Sequence, residues 1–536
     1  MRKKLSYLLL ITLSMMTVSC KNVNENSSSE FSLSSEKENT SEITIKPGYT
    51  RYDLKKPLAR KSEGYGAQFD TCIIDINNSS TDWNKIKEAV EISNLQAVRI
   101  RFYPEMYERG NDNNDPNYFD YNSENVDFNS KEMQHLYTLL DLFEENNVNV
   151  DLSWYGCRTT FHSEDGKYNG SWMGGTYGEK NVTSWMVAPS SEYVLSPDKE
   201  FGESVAACLN YLINIKKYTC LYEYSIFPEP EGVIKDMSLY KSIALNIKDN
   251  LDKYGLKDKI LFSGPADYGN NHINLDELYL NKGYGYDKVD SSVYKFHGEV
   301  NKDGKKTIPS ENEEMLTFAK NHVEVCEKYN LSWGVAECGT SNFLTPVTNA
   351  DTELYDRAMT MTRFFINLSN GGCTNIKYFV FADCNYDGTL NEEGMVRYLK
   401  QYYDDSEIDY QAKPIWYAWS LIMRYSDIGS TIYPITDDYS NNQDKDVCMV
   451  ALKLPDNSWT YVMANIGQET KKVAICNSFD LNISSLNQYR LTPASTPFGS
   501  EATIKLIEKS KDIETLNGVS YVSIPANGII VLSNKK

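Results

Sequence analysis

A chain of 536 residues is too long for one compact domain; it suits one large α/β barrel with a smaller unit, or three to four ordinary domains. With 74 acidic against 54 basic residues the formal charge is −20, which excludes the basic face a nucleic-acid binder needs and a basic patch for anionic lipid. At 41% hydrophobic and 24% charged residues the chain is neither disordered nor fibrous, and its 39 tyrosines suit wet concave sites as well as half-buried strands.

Residues 1–20 read as an export signal. Arg2, Lys3 and Lys4 form a charged start, and the apolar run from Leu5 to Met16 is too short to span a bilayer. Ser19 before Cys20 resembles a bacterial lipobox, which makes Cys20 the expected lipidation site. Thr17 departs from the usual aliphatic residue there, so a plain signal peptide is the other reading. Residues 21–45 are rich in Ser, Asn and Glu, bury no core and read as a flexible tether. The expectation is an exported protein, periplasmic or at the cell surface, that meets a bacterial membrane through a lipid anchor only. The cysteines after Cys20 include no Cys-x-x-Cys pair and no His-spaced cluster. No metal is expected, and most of these thiols are read as unpaired and buried.

From about residue 62, short β-rich runs alternate with amphipathic stretches. The runs are Tyr65–Phe69, Ala97–Phe102, Val148–Trp154, Tyr222–Phe227, Ile260–Ser263, Ser292–His297, Ser332–Glu337 and Ile376–Phe381. Helix-like segments lie between them at Trp83–Ser93, Ser130–Asn146, Glu200–Lys217, Leu239–Tyr254, Glu311–Tyr329 and Glu353–Asn370. Strand then helix, eight times over, predicts an α/β fold of the (β/α)8 TIM-barrel type. The excess length after the third run, residues 155 to about 195, precedes the helix that Ser196-Pro197 is expected to start. A loop in that place sits on the C-terminal face of a barrel, where barrel enzymes keep their chemistry, and it carries Tyr168, Trp172, Tyr177 and Trp185.

Near Lys413-Pro414 the pattern changes. A last helix, Ile415–Tyr425, is followed by short runs at Val447–Leu454, Trp459–Ala464, Lys472–Ile475, Gln488–Leu491, Thr503–Ile507 and Ile529–Leu532. These predict a C-terminal all-β sandwich over residues 429–536, with the barrel over residues 46–428. Residues 46–61 are a candidate to pair with the sandwich instead.

The barrel strand ends carry the chemistry. The fourth run leads into Phe227-Pro228-Glu229-Pro230-Glu231-Gly232, and the seventh closes on Glu337-Cys338-Gly339. A carboxylate at the end of an apolar strand is costly unless partnered or used. Two of them, on strands four and seven, face each other across a barrel mouth. That pairing is what glycoside hydrolysis requires: one group protonates the leaving oxygen and the other attacks the anomeric carbon or activates water.

In this arrangement the chain resembles glycoside hydrolase clan A, the (β/α)8 retaining glycosidases that include cellulases, β-mannanases and β-xylosidases. Glu229-Pro230 matches the clan's acid/base turn after strand four, and Glu337-Cys338-Gly339 matches its strand-seven nucleophile. The two glutamates lie 108 residues apart, three units of 36. Gly64–Phe69 suits a first barrel strand, and Ile524–Leu532 is similar to the last strand of the sandwich found on several clan members. The resemblance implies Glu337 as nucleophile and Glu229 as acid/base, with Glu231 as the competitor if the turn is displaced by two residues. It implies no cofactor and a β-linked oligo- or polysaccharide substrate. Departures mark a divergent member. Pro228 stands where the clan has the Asn that holds the sugar 2-hydroxyl, and Lys295-Phe296-His297 stands where many members have His-x-Tyr. The strand-eight Trp is absent, which leaves Tyr378, Phe379 or Phe381 to offer a stacking face.

The remaining candidates for substrate contact are Arg99, Trp154, Tyr155, Lys295, His297 and Asp383, the last with Asn385 beside it. Arg99 and Arg101 share a strand face, so one of them can hold the nucleophile ionised. Trp154 and Tyr155 end strand three, as a sugar platform or as plain core. The expected function is a retaining glycoside hydrolase. The alternative is a non-catalytic glycan-binding surface lipoprotein on a degenerate barrel, which Pro228 and Lys295 favour.

Overall fold

The computed structural model describes residues 44–69, 80–102, 104–108, 110–154, 199–226, 229–230, 237–267, 272–294, 311–339, 351–386, 389–391, 393–397, 411–440, 444–498 and 502–536. After a first strand, β1 (Thr50–Asp53), eight parallel strands close a barrel. They are β2 (Gly64–Gln68), β3 (Ala97–Arg101), β4 (Asn149–Ser153), β5 (Leu221–Ser225), β6 (Leu261–Asp267), β7 (Lys288–Tyr294), β8 (Trp333–Gly339) and β9 (Asn375–Tyr378). The ring closes because β2 pairs with both β3 and β9.

The strands are buried on both faces, as a parallel barrel requires. In β3, Val98 and Ile100 join the apolar shell between strands and helices, while Arg99 alternates with them and points inward. Helices cover the outside. Helix Lys131–Glu145 starts where Ser130 caps it by accepting a hydrogen bond from the Met133 amide. Helix Glu200–Asn210 continues through one π turn, Tyr211–Ile215. The expected Ser196 cap lies outside the described residues. Helix Pro414–Arg424 begins on a proline, whose missing amide costs nothing in a first turn.

Two expectations are corrected. The sixth barrel strand starts at Lys288 and ends at Tyr294, earlier than the run Ser292–His297. Its first half reads as polar because Lys288, Asp290, Ser291 and Ser292 are charged and polar groups buried inside the barrel. Thr503–Ile507 forms no strand. Its backbone carbonyls are taken by side chains of the last helix instead: Tyr417 donates to Thr503 (2.9 Å) and Trp416 donates to Lys505 (3.0 Å).

The C-terminal unit is a nine-stranded sheet. Its order is β1, Lys471–Cys476, Val519–Ile524, Lys511–Leu516, Ser485–Leu491, Gly528–Ser533, Trp459–Asn465, Val447–Lys453 and Thr431–Pro434. β1 pairs in parallel with Lys471–Cys476, all other neighbours are antiparallel, and the sheet folds over into a sandwich. Tyr52, Val473 and Val522 from one leaf meet Met449, Tyr461 and Ile530 from the other in a common core. The alternate residues Val450, Val462 and Val531 face the barrel and merge with its core. Helix Asp351–Gly371 seals this seam, with Asn370 donating to the Met449 carbonyl (2.9 Å). Among the described residues Cys208, Cys220, Cys326, Cys338, Cys373, Cys448 and Cys476 are unpaired and buried. No helix among them is long and apolar enough to cross a membrane.

An acidic cluster sits beside the second barrel unit. Glu108 is buried, accepts from the Ser204 hydroxyl, and lies near Asp112 and Glu203. Burial, with the charges of Asp112 and Glu203 and against the Ser204 bond, pushes its carboxyl up to about 9; burial and Asp112 push Glu203 up to about 8. Such a group keeps its proton on folding when the unfolded chain would ionise, so stability falls as pH rises from about 4.5 towards 9. Glu108→Gln is therefore expected to melt above the parent at pH 8, with the gap closing towards pH 4–5. Thermal melts across that range check it; an equal gap at both ends would contradict the assignment.

Candidate active site

Glu337 lies near the C-terminal end of β8, registered against Ser292 of β7. Its side chain is about one-tenth exposed. Arg99 Nη1 donates to Glu337 Oε2 at 2.8 Å, and the Tyr294 hydroxyl donates to Oε1 at 2.5 Å. Arg99 is on β3 and Glu337 on β8, which are not neighbours in the sheet, so this contact crosses the barrel interior. Each carboxylate oxygen is thus held by one strong donor, and the group is locked in one orientation at the mouth. Three residues below, Gly334 leaves space that a side chain would take: a Cβ there would come within 1.7 Å of Asn375 Oδ1 and 2.7 Å of Asp290 Oδ1.

Glu229 sits at the same rim, half-buried, just past β5. Its backbone is left-handed (φ 52°), and its amide donates to the carbonyl of Ala266 near the end of β6, itself left-handed (φ 48°). A non-glycine residue in that region costs on the order of 1–3 kcal/mol, a cost usually met where a side chain must be aimed. Glu231 and Pro228 lie outside the described residues.

Of the other candidates, Arg99 contacts Glu337 directly. Arg101 is buried on the same strand. Two take structural positions instead. Trp154 is 1% exposed and packs on Phe201 of helix Glu200–Asn210, with centroids 4.2 Å apart, so it is core and not an open platform. Asp383 is buried, pairs with Lys413 and accepts from the Gly394 amide (2.8 Å) on the same oxygen, which ties two chain segments together. Tyr378, Phe379 and Phe381 are also buried: Tyr378 packs on Trp419, Phe381 on Phe69 and Trp416, and Phe379 on Tyr294. They back the site and offer no free stacking face. Tyr155, Lys295, His297 and Cys20 lie outside the described residues. With β7 ending at Tyr294, this tyrosine reaches the Glu337 carboxylate from strand six.

Tyr294 was not among the residues singled out from the sequence, and neither were the charges beneath the mouth. Below Arg99 the barrel interior is ionic. Asp151, Glu223, Lys288, Asp290 and Lys377 are all buried there. The available signal was a pair of opposite charges two apart on one strand face, Lys288 and Asp290, on either side of Val289. Asp151, Glu223 and Asp290 could each offer an oxygen within 4.8 Å of the others, close enough for one metal ion, and Lys288 or Lys377 lies within 3.5 Å of an oxygen of each. The trio Asp112, Glu200 and Glu203 meets the same spacing within the acidic cluster around Glu108.

No family model and no curated protein matches the chain. Solved structures do. An exported protein from Bacteroides fragilis aligns with a TM-score of 0.63 at 8% identity, covering 90% of this chain and 100% of that one. The catalytic domain of a family 30 glycoside hydrolase, xylanase C from Talaromyces cellulolyticus, aligns with a TM-score of 0.57 at 12% identity, covering 91% and 100%. A family 51 arabinofuranosidase from Xanthomonas axonopodis pv. citri aligns at 0.56 and 13%, covering 90% and 99%. The likeness is one of fold, and it extends over the barrel and the sandwich together.

Proposed function

We propose that this chain is a divergent retaining glycoside hydrolase of the clan A type. The observation that carries the reading is Glu337, fixed at the barrel mouth by Arg99 and Tyr294 on separate oxygens. Glu337 attacks the anomeric carbon while Glu229 protonates the departing glycosidic oxygen, leaving a glycosyl ester on Glu337. Glu229 then takes a proton from water, which attacks the same carbon and frees the carboxylate. Net retention follows from two displacements on one carbon. No cofactor enters this scheme. The substrate class is a β-linked oligo- or polysaccharide, and the xylanase and arabinofuranosidase among the structural neighbours direct the first choice to xylan and arabinoxylan. The charged start, short apolar run and Ser19-Cys20 pair support an exported protein held by a lipid anchor.

The second reading is a surface glycan binder that has lost catalysis, supported by Pro228 in place of the Asn that would grip the 2-hydroxyl. A panel of xylan, arabinoxylan, mannan, β-glucans and aryl β-glycosides, read by reducing ends, separates the two. Hydrolysis of at least one is expected. Saturable binding with no release across the panel would replace the hydrolase with the binder.

A further inference from the structure

Seven buried or half-buried side chains of alternating charge form one path along the barrel. Glu63 pairs with Lys288 (3.1 Å), Lys288 with Glu223 (2.9 Å), and Glu223 with Lys377 (3.4 Å). Lys377 pairs with Asp151 (3.1 Å), Asp151 with Arg99 (3.5 Å), and Arg99 with Glu337 (2.8 Å). Asp290 flanks the path at Lys288 (3.5 Å). Burial, with the charge of Glu223, pushes the Asp290 carboxyl well above the usual range; against the cost of burial, Lys288 and Lys377 hold Glu223 well below it.

The upper part of this path bears on the mouth. Asp151 Oδ1 accepts from the Ser225 hydroxyl (2.9 Å), while Oδ2 faces both Lys377 Nζ and Arg99 Nε. The carboxylate is therefore fixed from three strands. It anchors the Nε edge of the guanidinium and leaves Nη1 turned to Glu337. Lys377 in turn balances the charge of Asp151, so Arg99 is not fully neutralised from below.

We propose that Asp151 and Lys377 are positioning residues for Glu337, acting through Arg99 to set both its orientation and its electrostatic surroundings. The inference rests on Glu337 as the reacting carboxylate, and it adds two residues that touch neither substrate nor Glu337. Among the described residues, the charged and titratable groups around Glu337 include Arg99 from β3, Tyr294 from β7 and Cys338 from β8, with Glu393 beside Gly339. Those around the Asp151–Lys377 pair are Arg99, Glu223 from β5, and Lys288 and Asp290 from β7.

Opposite charges in series make a signed prediction. Asp151→Asn removes a negative charge behind Arg99, so the titration midpoint of Glu337 moves down. Lys377→Met removes a positive charge, so it moves up. Each shift is expected to be about one to two pH units, the size of a unit charge several ångströms away at an effective dielectric constant of about 20–40. The readout is the carboxyl carbon resonance of Glu337 in the full chain labelled with 13Cδ-glutamate, assigned by its loss in Glu337→Gln. Asp151→Asn/Lys377→Met should return towards the parent midpoint, and Lys377→Arg should stay at it. If Asp151→Asn fails to fold, the contrast between Lys377→Met and Lys377→Arg carries the test. On whichever sugar the panel identifies, Asp151→Asn should lower kcat about 10- to 100-fold with KM changed less than about threefold, as misplacement of a reacting group does. Shifts in the same direction, or none, would overturn the inference even in an active hydrolase. Opposed shifts in a chain that releases no sugar would uphold it while the hydrolase reading fails.

Discussion

Glu337→Gln is expected to lower kcat on any active substrate by at least about 10³-fold while leaving the fold intact. The amide is nearly isosteric with the carboxylate, and its carbonyl can still accept a hydrogen bond from Arg99 or Tyr294, so the loss is of nucleophilicity. Glu229→Gln should differ in kind. An aryl glycoside with a good leaving group needs little protonation, so its first step survives and the slow step becomes hydrolysis of the ester. An external anion such as azide then replaces water without needing a base, and it should restore turnover in Glu229→Ala as a β-glycosyl azide. In Glu337→Ala the same anion should occupy the space of the lost carboxylate and give the α-azide. Steady-state rates with good and poor leaving groups, and the configuration of the azide product, check both assignments. Equal rescue with one configuration in both variants would show that the two carboxylates do not play separate roles.

The largest effect on stability is expected at Lys288. Its ammonium is enclosed and lies 2.9 Å from Glu223, 3.1 Å from Glu63 and 3.5 Å from Asp290. Removing one member of a buried ionic set strands the others, at a cost of about 3–5 kcal/mol. Lys288→Met should lose that much at neutral pH, in denaturant melts of the full chain. The charge of Lys288 is present at all pH values below its raised native range, so its own titration adds no slope near neutrality. Glu223 supplies the slope. Its native value is depressed, so its contribution is present above the usual carboxylate range and is lost as pH falls through the native value. Without Lys288, Glu223 protonates more readily, and the deficit of the variant should shrink on acidification. Lys288→Met/Glu223→Gln should recover part of the loss at pH 7. A deficit that is constant with pH, or a double variant no better than the single, would argue that packing and not charge is at stake.

The barrel was legible because its outward-facing residues repeat strongly. Val98 and Ile100, or Val150 and Leu152, announce a strand whatever lies between them. The same alternation hid the interior. Arg99, Asp151, Glu223 and Lys377 each occupy the inward position of an otherwise apolar strand, and nothing in one strand tells which charge it will meet on another. Lys288, Asp290, Ser291 and Ser292 made the start of β7 read as a polar segment, which displaced the expected strand and kept Tyr294 out of view. Lys511–Leu516 escaped notice because it buries only Ile513 and Thr515, and Val519–Ile524, paired between it and Lys471–Cys476, escaped with it because polar Ser520, Tyr521 and Ser523 interrupt its apolar residues. Asp383 and Trp154 looked like site residues by position alone. Their partners, Lys413 and Phe201, lie 30 and 47 residues further along the chain, and nothing local to Asp383 or Trp154 points to them. Glu337 could be singled out because a carboxylate closing an apolar strand has no cheap place to go.

The most direct test of the account is covalent trapping. A 2-deoxy-2-fluoro glycoside of the sugar that the panel identifies, with an activated leaving group, slows both displacements but the second one more. The account predicts a single stable glycosyl adduct by intact mass and its location, after proteolysis, on the peptide carrying Glu337, with none formed in Glu337→Gln. Turnover of the parent substrate with no adduct, or an adduct on any other residue, would contradict it.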